Sequence, residues 1–485
     1  MTARTHLGRR RDVPRRDTWT RRELLMMAGA GVGALALGAC SGITFAGTSP
    51  LGPVTTLGLD AGQVRLDLEG TPVETWGYNG TVPGPEIRLR EGETLRVPLR
   101  NGLSDPTTVH WHGISLVNAM DGAPFLTQAP VEPGAGFDYE FVVPEAGTHW
   151  YHAHVGHQLD RGLYGALIVE PRHEELSYDR EYTLLLDDWR DGLDDRSEYS
   201  AGHGGHDPTG SPALPADPRE WVSFGGRFYP LTLVNARPPA DPYTLDVRLG
   251  ERIRLRVINA AADTGFRFAI GGHRLTVTHA DGMPVQHVTV DAIRIGMGER
   301  YDVLIEADAP GAWQVGVMPE GRTGYGRAIL RYLDAAGSTA PPSDLRPTEL
   351  DGRLLTYDDL VNTGKEETPA AGSPDRTFAL TLSGTDILAD GLDPTEPFLV
   401  DSGEWVRFTL RNESMKWHPM HLHGHHFRVS TPGGNGPLKD TAAVPARGGE
   451  LTFDWRADNP GAWMFHCHNH YHMEDGMMRT VTYRT

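Results

Sequence analysis

A ten-residue pattern occurs three times in this chain of 485 residues, and its recurrence restricts the fold more than any other feature. Gly92-Glu93-Thr94-Leu95-Arg96-Val97-Pro98-Leu99-Arg100-Asn101 returns as Gly250-Glu251-Arg252-Ile253-Arg254-Leu255-Arg256-Val257-Ile258-Asn259. It returns again as Gly403-Glu404-Trp405-Val406-Arg407-Phe408-Thr409-Leu410-Arg411-Asn412. Each copy opens on Gly-Glu, alternates apolar with polar residues and reaches Asn nine positions after the Gly. That alternation is the signature of a half-buried strand opened by a turn. A second marker follows 55–61 residues later: Gly147-Thr148-His149-Trp150, Gly311-Ala312-Trp313 and Gly461-Ala462-Trp463. Two landmarks recurring in order and at similar spacing make the chain a triplicated β-domain.

The 58 Gly and 36 Pro favour many turns and short strands over long helices. The reading is an all-β chain with domains at 50–175, 176–345 and 370–485. The Pro/Ser/Thr/Gly-rich run from Ala335 to Asp375 contains the linker, at 346–369. Asp194 to Asp217, with His203 and His206, reads as a long loop.

Residues 1–39 read as a signal peptide. Arg21-Arg22 precedes an apolar stretch from Leu24 to Leu37 that is short for a membrane span of ~20 residues. The arginine pair is of the twin-arginine type, and Leu37-Gly38-Ala39-Cys40 resembles a bacterial lipobox. The expectation is export, with a lipid on Cys40 anchoring the protein to the outer face of the cytoplasmic membrane. Only one other cysteine exists, Cys467, so a lipidated Cys40 leaves no disulfide and Cys467 needs another purpose. The formal net charge is −19, and the eight Arg of residues 1–39 make the remainder more acidic still. That balance excludes nucleic acid as the expected partner and is compatible with cationic substrates.

Four His-x-His pairs carry the chemistry: His110/His112, His152/His154, His421/His423 and His466/His468, the last enclosing Cys467. On a strand, residues i and i+2 share a face ~6.6–6.8 Å apart, and i+1 points the other way. One pair is too wide to grip a single ion comfortably and well spaced for two neighbouring ions. Eight imidazoles can cage a small metal cluster, while Cys467 faces a different metal a few covalent bonds away. Ala153 stands where Cys467 stands, and the middle copy has Gly316-Val317 and no histidines there. Copies one and three therefore hold metal and copy two is scaffold. Cys467, His418, His472 and Met477 offer a thiolate, two imidazoles and a thioether, the ligand set of a blue-copper centre. Zinc would gain nothing from the thioether.

The runs His110-Trp111-His112-Gly113, Trp150-Tyr151-His152-Ala153-His154, His418 to His423, and His466-Cys467-His468 through His472 and Met477 resemble the four copper motifs of multicopper oxidases. The resemblance spans essentially the whole chain after the signal. It implies three cupredoxin-like Greek-key β-sandwich domains in tandem and four copper ions: one type 1 in the third domain, one type 2 and two type 3 between the first and third. By motif position, His110 and His421 would bind the type 2 ion. His112, His152, His154, His423, His466 and His468 would bind the type 3 pair. The implied reaction takes single electrons from a small donor and reduces dioxygen to water, in a role linked to copper or other metal tolerance.

Protons for that reaction direct attention to Asp121, in Met120-Asp121-Gly122, which is similar to an acid that assists proton delivery in the family. Where many bacterial relatives carry Glu directly after the type 1 histidine, Met473 stands here and Glu474 follows, so Glu474 or Asp475 is the candidate substitute. Met415, Met420, Met473 and Met478 crowd the third-copy motifs and suit Cu(I), although Met is also common core filler. The donors in view are Cu(I), Fe(II) and electron-rich phenols. Two other readings stay open. A copper-dependent nitrite reductase needs fewer histidines than the eight paired here, and a copper-sequestering lipoprotein needs no Cys-His link.

Overall fold

The computed structural model describes residues 52–190, 223–322, 324–335, 338–364 and 374–484. The signal, Cys40 and the stretch with His203 and His206 lie outside them. Among the described residues no helix is long and apolar enough to cross a membrane.

The described chain is almost entirely β-strand, arranged as six sheets. Each third of the chain contributes two sheets that close on a common apolar core, giving the three tandem cupredoxin-like sandwiches. The repeated decapeptide occupies the same place in each sandwich. Thr94–Asn101, Arg252–Asn259 and Trp405–Asn412 are inner strands, each with parallel pairing on one side, shared by two successive strands in the first sandwich, and antiparallel pairing on the other.

The repeat is preserved for identifiable reasons. Gly92, Gly250 and Gly403 all have φ between +79° and +88°, the left-handed region that a side chain disfavours. Their N–H groups bond Val143, Ala307 and Ala457 carbonyls, closing the turn onto the neighbouring strand. The terminal asparagines act as three-way ties. Asn101 Nδ2 donates to the carbonyls of Asp105 and Val131, both at 2.8 Å, while its Oδ1 accepts from Leu103 N–H at 2.9 Å. Asn259 does the same with Thr264, Ile295 and Ala261, and Asn412 with Lys416, Val444 and Ser414. A buried amide satisfied on every side costs nothing and fixes the chain's exit from the strand.

The alternate residues of these strands fill the cores. Phe408 is fully buried among Phe378, Phe398, Phe453, Trp455 and Phe465. Truncating such an aromatic to alanine costs about 3–5 kcal/mol.

The described part of the connection between the second and third sandwiches, up to residue 364, packs against the middle sandwich. Leu350, Leu355 and Leu360 are buried, and Leu354 and Asn362 make isolated bridges to Ala292 and Val285. Composition indicated a linker because Pro, Thr and Gly interrupt the periodicity. It could not reveal that three spaced leucines press the segment onto the middle sandwich.

A separate apolar cluster joins all three sandwiches: Trp150 and Tyr164 from the first, Tyr229, Ile258 and Ala260 from the second, and Tyr471 from the third. It lies beside the histidine pairs, with Trp150 two residues before His152 and Tyr471, on the helix His470–Glu474, three residues after His468.

Candidate metal centre

Two hairpin-like pairings bring the four motifs into position. Val109–His112 lies antiparallel to Gly147–Ala153 with His110 opposite His152, and His418–Leu422 lies antiparallel to Ala462–Cys467 with His421 opposite His466. Period-two alternation then puts His466 and His468 on one face and Cys467 on the other. In the first sandwich His152 and His154 share the outward face, and Ala153 packs in the core where Cys467 does in the third.

The eight imidazoles converge on one buried space between the first and third sandwiches, none more than 2% exposed. Their ring nitrogens form two triads, His112/His152/His468 and His154/His423/His466, each with its ligand atoms within 4.8 Å of one another. His110 and His421 stand between the triads with Nε2 atoms 3.4 Å apart. Within these two triads no pair contributes both its members, while His112 also groups with His110 and His421. Strand spacing had indicated that one pair serves two neighbouring ions.

Hydrogen bonds behind the rings decide which nitrogen faces inward. The Nδ1–H of His110 donates to the Asp121 carbonyl, His152 to Ala153, His421 to Asp440 and His466 to Cys467, at 2.8–3.0 Å, so Nε2 points to the centre in each. His423 Nδ1 is 2.9 Å from Asp121 Oδ2. His112 is reversed: its Nε2 lies 2.9 Å from Asp440 Oδ1 and 3.0 Å from Thr441 Oγ1, so its Nδ1 is the inward atom.

Among the described residues, His112 Nδ1, His152 Nε2 and both ring nitrogens of His154 and His468 are buried without a hydrogen-bond partner. Buried polar atoms are rarely left so, and several converging on one space indicate a ligand that uses their lone pairs. Burial also holds His112, His152, His154, His423, His466 and His468 well below the usual imidazole range, and the crowding of neighbouring rings adds to it. They are neutral, the form that binds metal. The residues present fit a copper cluster.

The second centre lies on the opposite face of the same strand. Cys467 Sγ is 3.5 Å from His418 Nδ1 and 3.7 Å from His472 Nδ1, and all three are buried. Cys467 N–H donates to the Met477 carbonyl at 3.0 Å, which brings the buried Met477 alongside. His418 is aimed by Ser414 Oγ, 2.7 Å from its Nε2. His472 is carried by the short helix His470–Glu474, whose N-terminus Asn469 caps by accepting from the Tyr471 and His472 N–H groups. Burial pushes the Cys467 thiol up and holds His472 down to about 4. Thiol and imidazole are then both neutral, and only a bound cation would draw the proton from sulfur.

Of the candidate acids, Asp121 is wholly buried against two ligand-type histidines, whereas Glu474 is exposed at the end of its helix. Met420 and Met473 are buried, Met478 is half-buried and Met415 is 52% exposed.

Sequence reasoning missed Asp440, which contacts His112 through its carboxylate and His421 through its carbonyl. Nothing marks Lys439-Asp440-Thr441 as special in a chain rich in acids. It also missed the placement of Trp150. Trp313 and Trp463 donate their indole N–H to the carbonyl four residues back, but Trp150 does not. The extra residue in the first copy shifts Trp150 onto the histidine face, 4.4 Å from the His152 ring and 5.1 Å from His112.

Family models described as multicopper oxidase match residues 61–174, 180–335 and 367–485. The chain is 38% identical to multicopper oxidase MmcO of Mycobacterium tuberculosis, over 89% of this chain and 88% of that one. It is 29% identical to copper resistance protein A of Escherichia coli, over 88% and 92%. Among solved structures it superposes on the laccase from Botrytis aclada with a TM-score of 0.73 and 26% identity, over 89% and 88%.

Proposed function

This chain belongs to the multicopper oxidase family, and from that premise we propose that it couples one-electron oxidation of a small donor to the four-electron reduction of dioxygen to water, using four copper ions. It is an oxidoreductase that uses oxygen, and copper is its cofactor. The observation that carries the finer reading is the division of six imidazoles into two triads with His110 and His421 between them.

In this reading His112, His152 and His468 hold one type 3 ion, and His154, His423 and His466 hold the other. His110 and His421 hold the type 2 ion, and Cys467, His418, His472 and Met477 hold the type 1 ion. When bound, the single copper accepts electrons from the donor and the group of three delivers them to dioxygen. The chain's part is to keep the two centres joined: Cys467 is covalently bonded to both His466 and His468, so a ligand of one centre lies between two ligands of the other. Three converging sub-sites support this over the single-ion catalytic site of a copper nitrite reductase, and the Cys-His link supports it over copper storage.

Asp121 and Glu474 are the proton-handling acids of this reading. Asp121 is favoured by its hydrogen bond to His423 and Glu474 by its access to solvent. The donor class is Cu(I), Fe(II) or an electron-rich phenol, with a role in metal tolerance supported by the likeness to copper resistance protein A. Domains at 50–175, 176–345 and 370–485, a signal at 1–39, and export with a lipid on Cys40 complete the proposal.

Oxygen uptake by copper-loaded protein supplied in turn with Cu(I), Fe(II) and a methoxyphenol tests it, the specificity constants ranking the donors. No uptake with any of the three, in protein carrying four coppers, overturns the function.

A further inference from the structure

The middle sandwich supplies no histidine to either centre, yet it delivers one side chain to the cluster's edge. Arg300, at the start of the strand Arg300–Glu306, is fully buried. All five of its side-chain N–H groups are used. Nε donates to the Thr148 carbonyl at 3.0 Å. Nη1 donates to the Gly298 carbonyl at 3.1 Å and Asp440 Oδ1 at 2.7 Å, and Nη2 donates to the Asp281 carbonyl at 3.0 Å and Asp440 Oδ2 at 2.7 Å. Thr148 belongs to the first sandwich, Gly298 and Asp281 to the second, and Asp440 to the third. A guanidinium satisfied on every side by three sandwiches has one orientation available, and its fork meets the carboxylate in the bidentate geometry that a lysine cannot reproduce.

The carboxylate so held faces His112. Paired with Arg300, Asp440 is ionised and can only accept, so His112 Nε2, 2.9 Å from Oδ1, must carry the ring proton. The lone pair is thereby placed on Nδ1, the buried atom left without a partner and turned into the triad with His152 and His468. The same residue's carbonyl receives His421 Nδ1–H at 2.8 Å, and the His112 and His421 rings stack at 3.8 Å.

We propose that Arg300 is a positioning residue of the cluster: by clamping Asp440 it fixes the tautomer of His112, and so the sandwich without ligands decides which nitrogen a ligand of the first sandwich presents. This rests on the reading that the triads hold copper, but its primary consequence precedes metal binding. A residue that merely braced the three sandwiches would affect stability without selecting a tautomer.

The experiment uses metal-free, 15N-histidine-labelled protein and long-range 1H–15N correlation, with His112 assigned by its disappearance in His112→Gln. Wild type is expected to show His112 with the proton on Nε2. Arg300→Lys keeps the charge and loses the fork, and is expected to give a mixture of tautomers. After reconstitution, the variant should show at least a tenfold weaker hold on cluster copper while the blue band of the Cys467 centre persists. Asp440→Asn, which can donate from its amide and keeps the shape, is expected to move the proton to Nδ1. It provides the answer if Arg300→Lys fails to fold. A His112 that stays protonated on Nε2 in either folded variant, with unchanged copper content, overturns the proposal. Wild-type protein that shows the tautomer but binds no copper between the sandwiches instead overturns the functional reading and leaves the positioning role standing.

Discussion

The Asp121 carboxylate lies 2.9 Å from Nδ1 of His423, on the side of the ring away from the other triad members. Nε2 of the same ring is 3.0 Å from Nε2 of His466. The Asp121 carbonyl also receives His110 Nδ1–H at 3.0 Å, so one residue aims one histidine between the triads and one within a triad. An acid in that position both orients ligands and can pass a proton along the ring edge. Asp121→Asn keeps the carbonyl contact and removes the ionisable group. It is expected to lower turnover about a hundredfold, in the range of lost general acid–base assistance, with the blue colour intact. Oxygen uptake beside the visible spectrum checks it, and a variant within threefold of wild type rules out proton delivery by Asp121.

Glu474 faces solvent one residue beyond Met473, which is buried. If it delivers protons from the surface, Glu474→Gln slows turnover severalfold and enlarges the solvent isotope effect. If Asp121 suffices, the profile against pH is unchanged. Steady-state rates in H2O and D2O separate these outcomes.

Cys467→Ser removes the only sulfur that joins the two sets of ligands. The blue band and turnover are expected to vanish while the copper held by the eight histidines remains, measured as three ions per chain in place of four. Retained turnover would falsify the assigned connection.

Asp160 is buried, and its carboxylate accepts hydrogen bonds from Tyr229 at 2.9 Å and from Tyr471. Burial, reinforced by nearby Asp188, pushes it up to about 7. Unfolded, it would titrate near ~4. Between these values the folded chain retains a proton the unfolded chain has released, so this group's contribution is present below ~4 and lost as pH rises to about 7. His425 runs the other way: burial holds it down to about 4, so its contribution is present above ~6.5 and lost as pH falls. Asp160→Asn is therefore expected to make the metal-free protein more resistant to heat at pH 8 relative to wild type than at pH 5. Melting curves across that range decide it, and an unchanged difference refutes the assignment.

Gly298 has φ of +83°, and a Cβ there would lie 2.8 Å from His468 Cδ2 and 3.0 Å from His112 Cε1. Gly298→Ala is expected to cost about 1–2 kcal/mol from backbone strain alone. It should also displace those two rings, so that copper content falls with stability. Copper analysis beside a melting curve checks both.

Much of this was legible in the sequence because it is local or periodic. The Gly-Glu-to-Asn repeat reflects a left-handed turn and a three-way amide tie, each built within one strand and its neighbours. The histidine pairs were legible because strand geometry fixes i and i+2 on one face. Asp440 and Arg300 were not, since their significance comes from contacts 328 and 140 positions apart between residue types common on any surface. Trp150 was obscured by a single inserted residue, which reverses the face of everything before it in the strand.

Each triad draws on both ends of the chain: His112, His152 and His154 arise early, His423, His466 and His468 late. A ribosome releasing this polypeptide thus completes neither triad until translation is nearly finished. A chain that stops short of the third sandwich holds early ligands alone, and neither triad is complete in it.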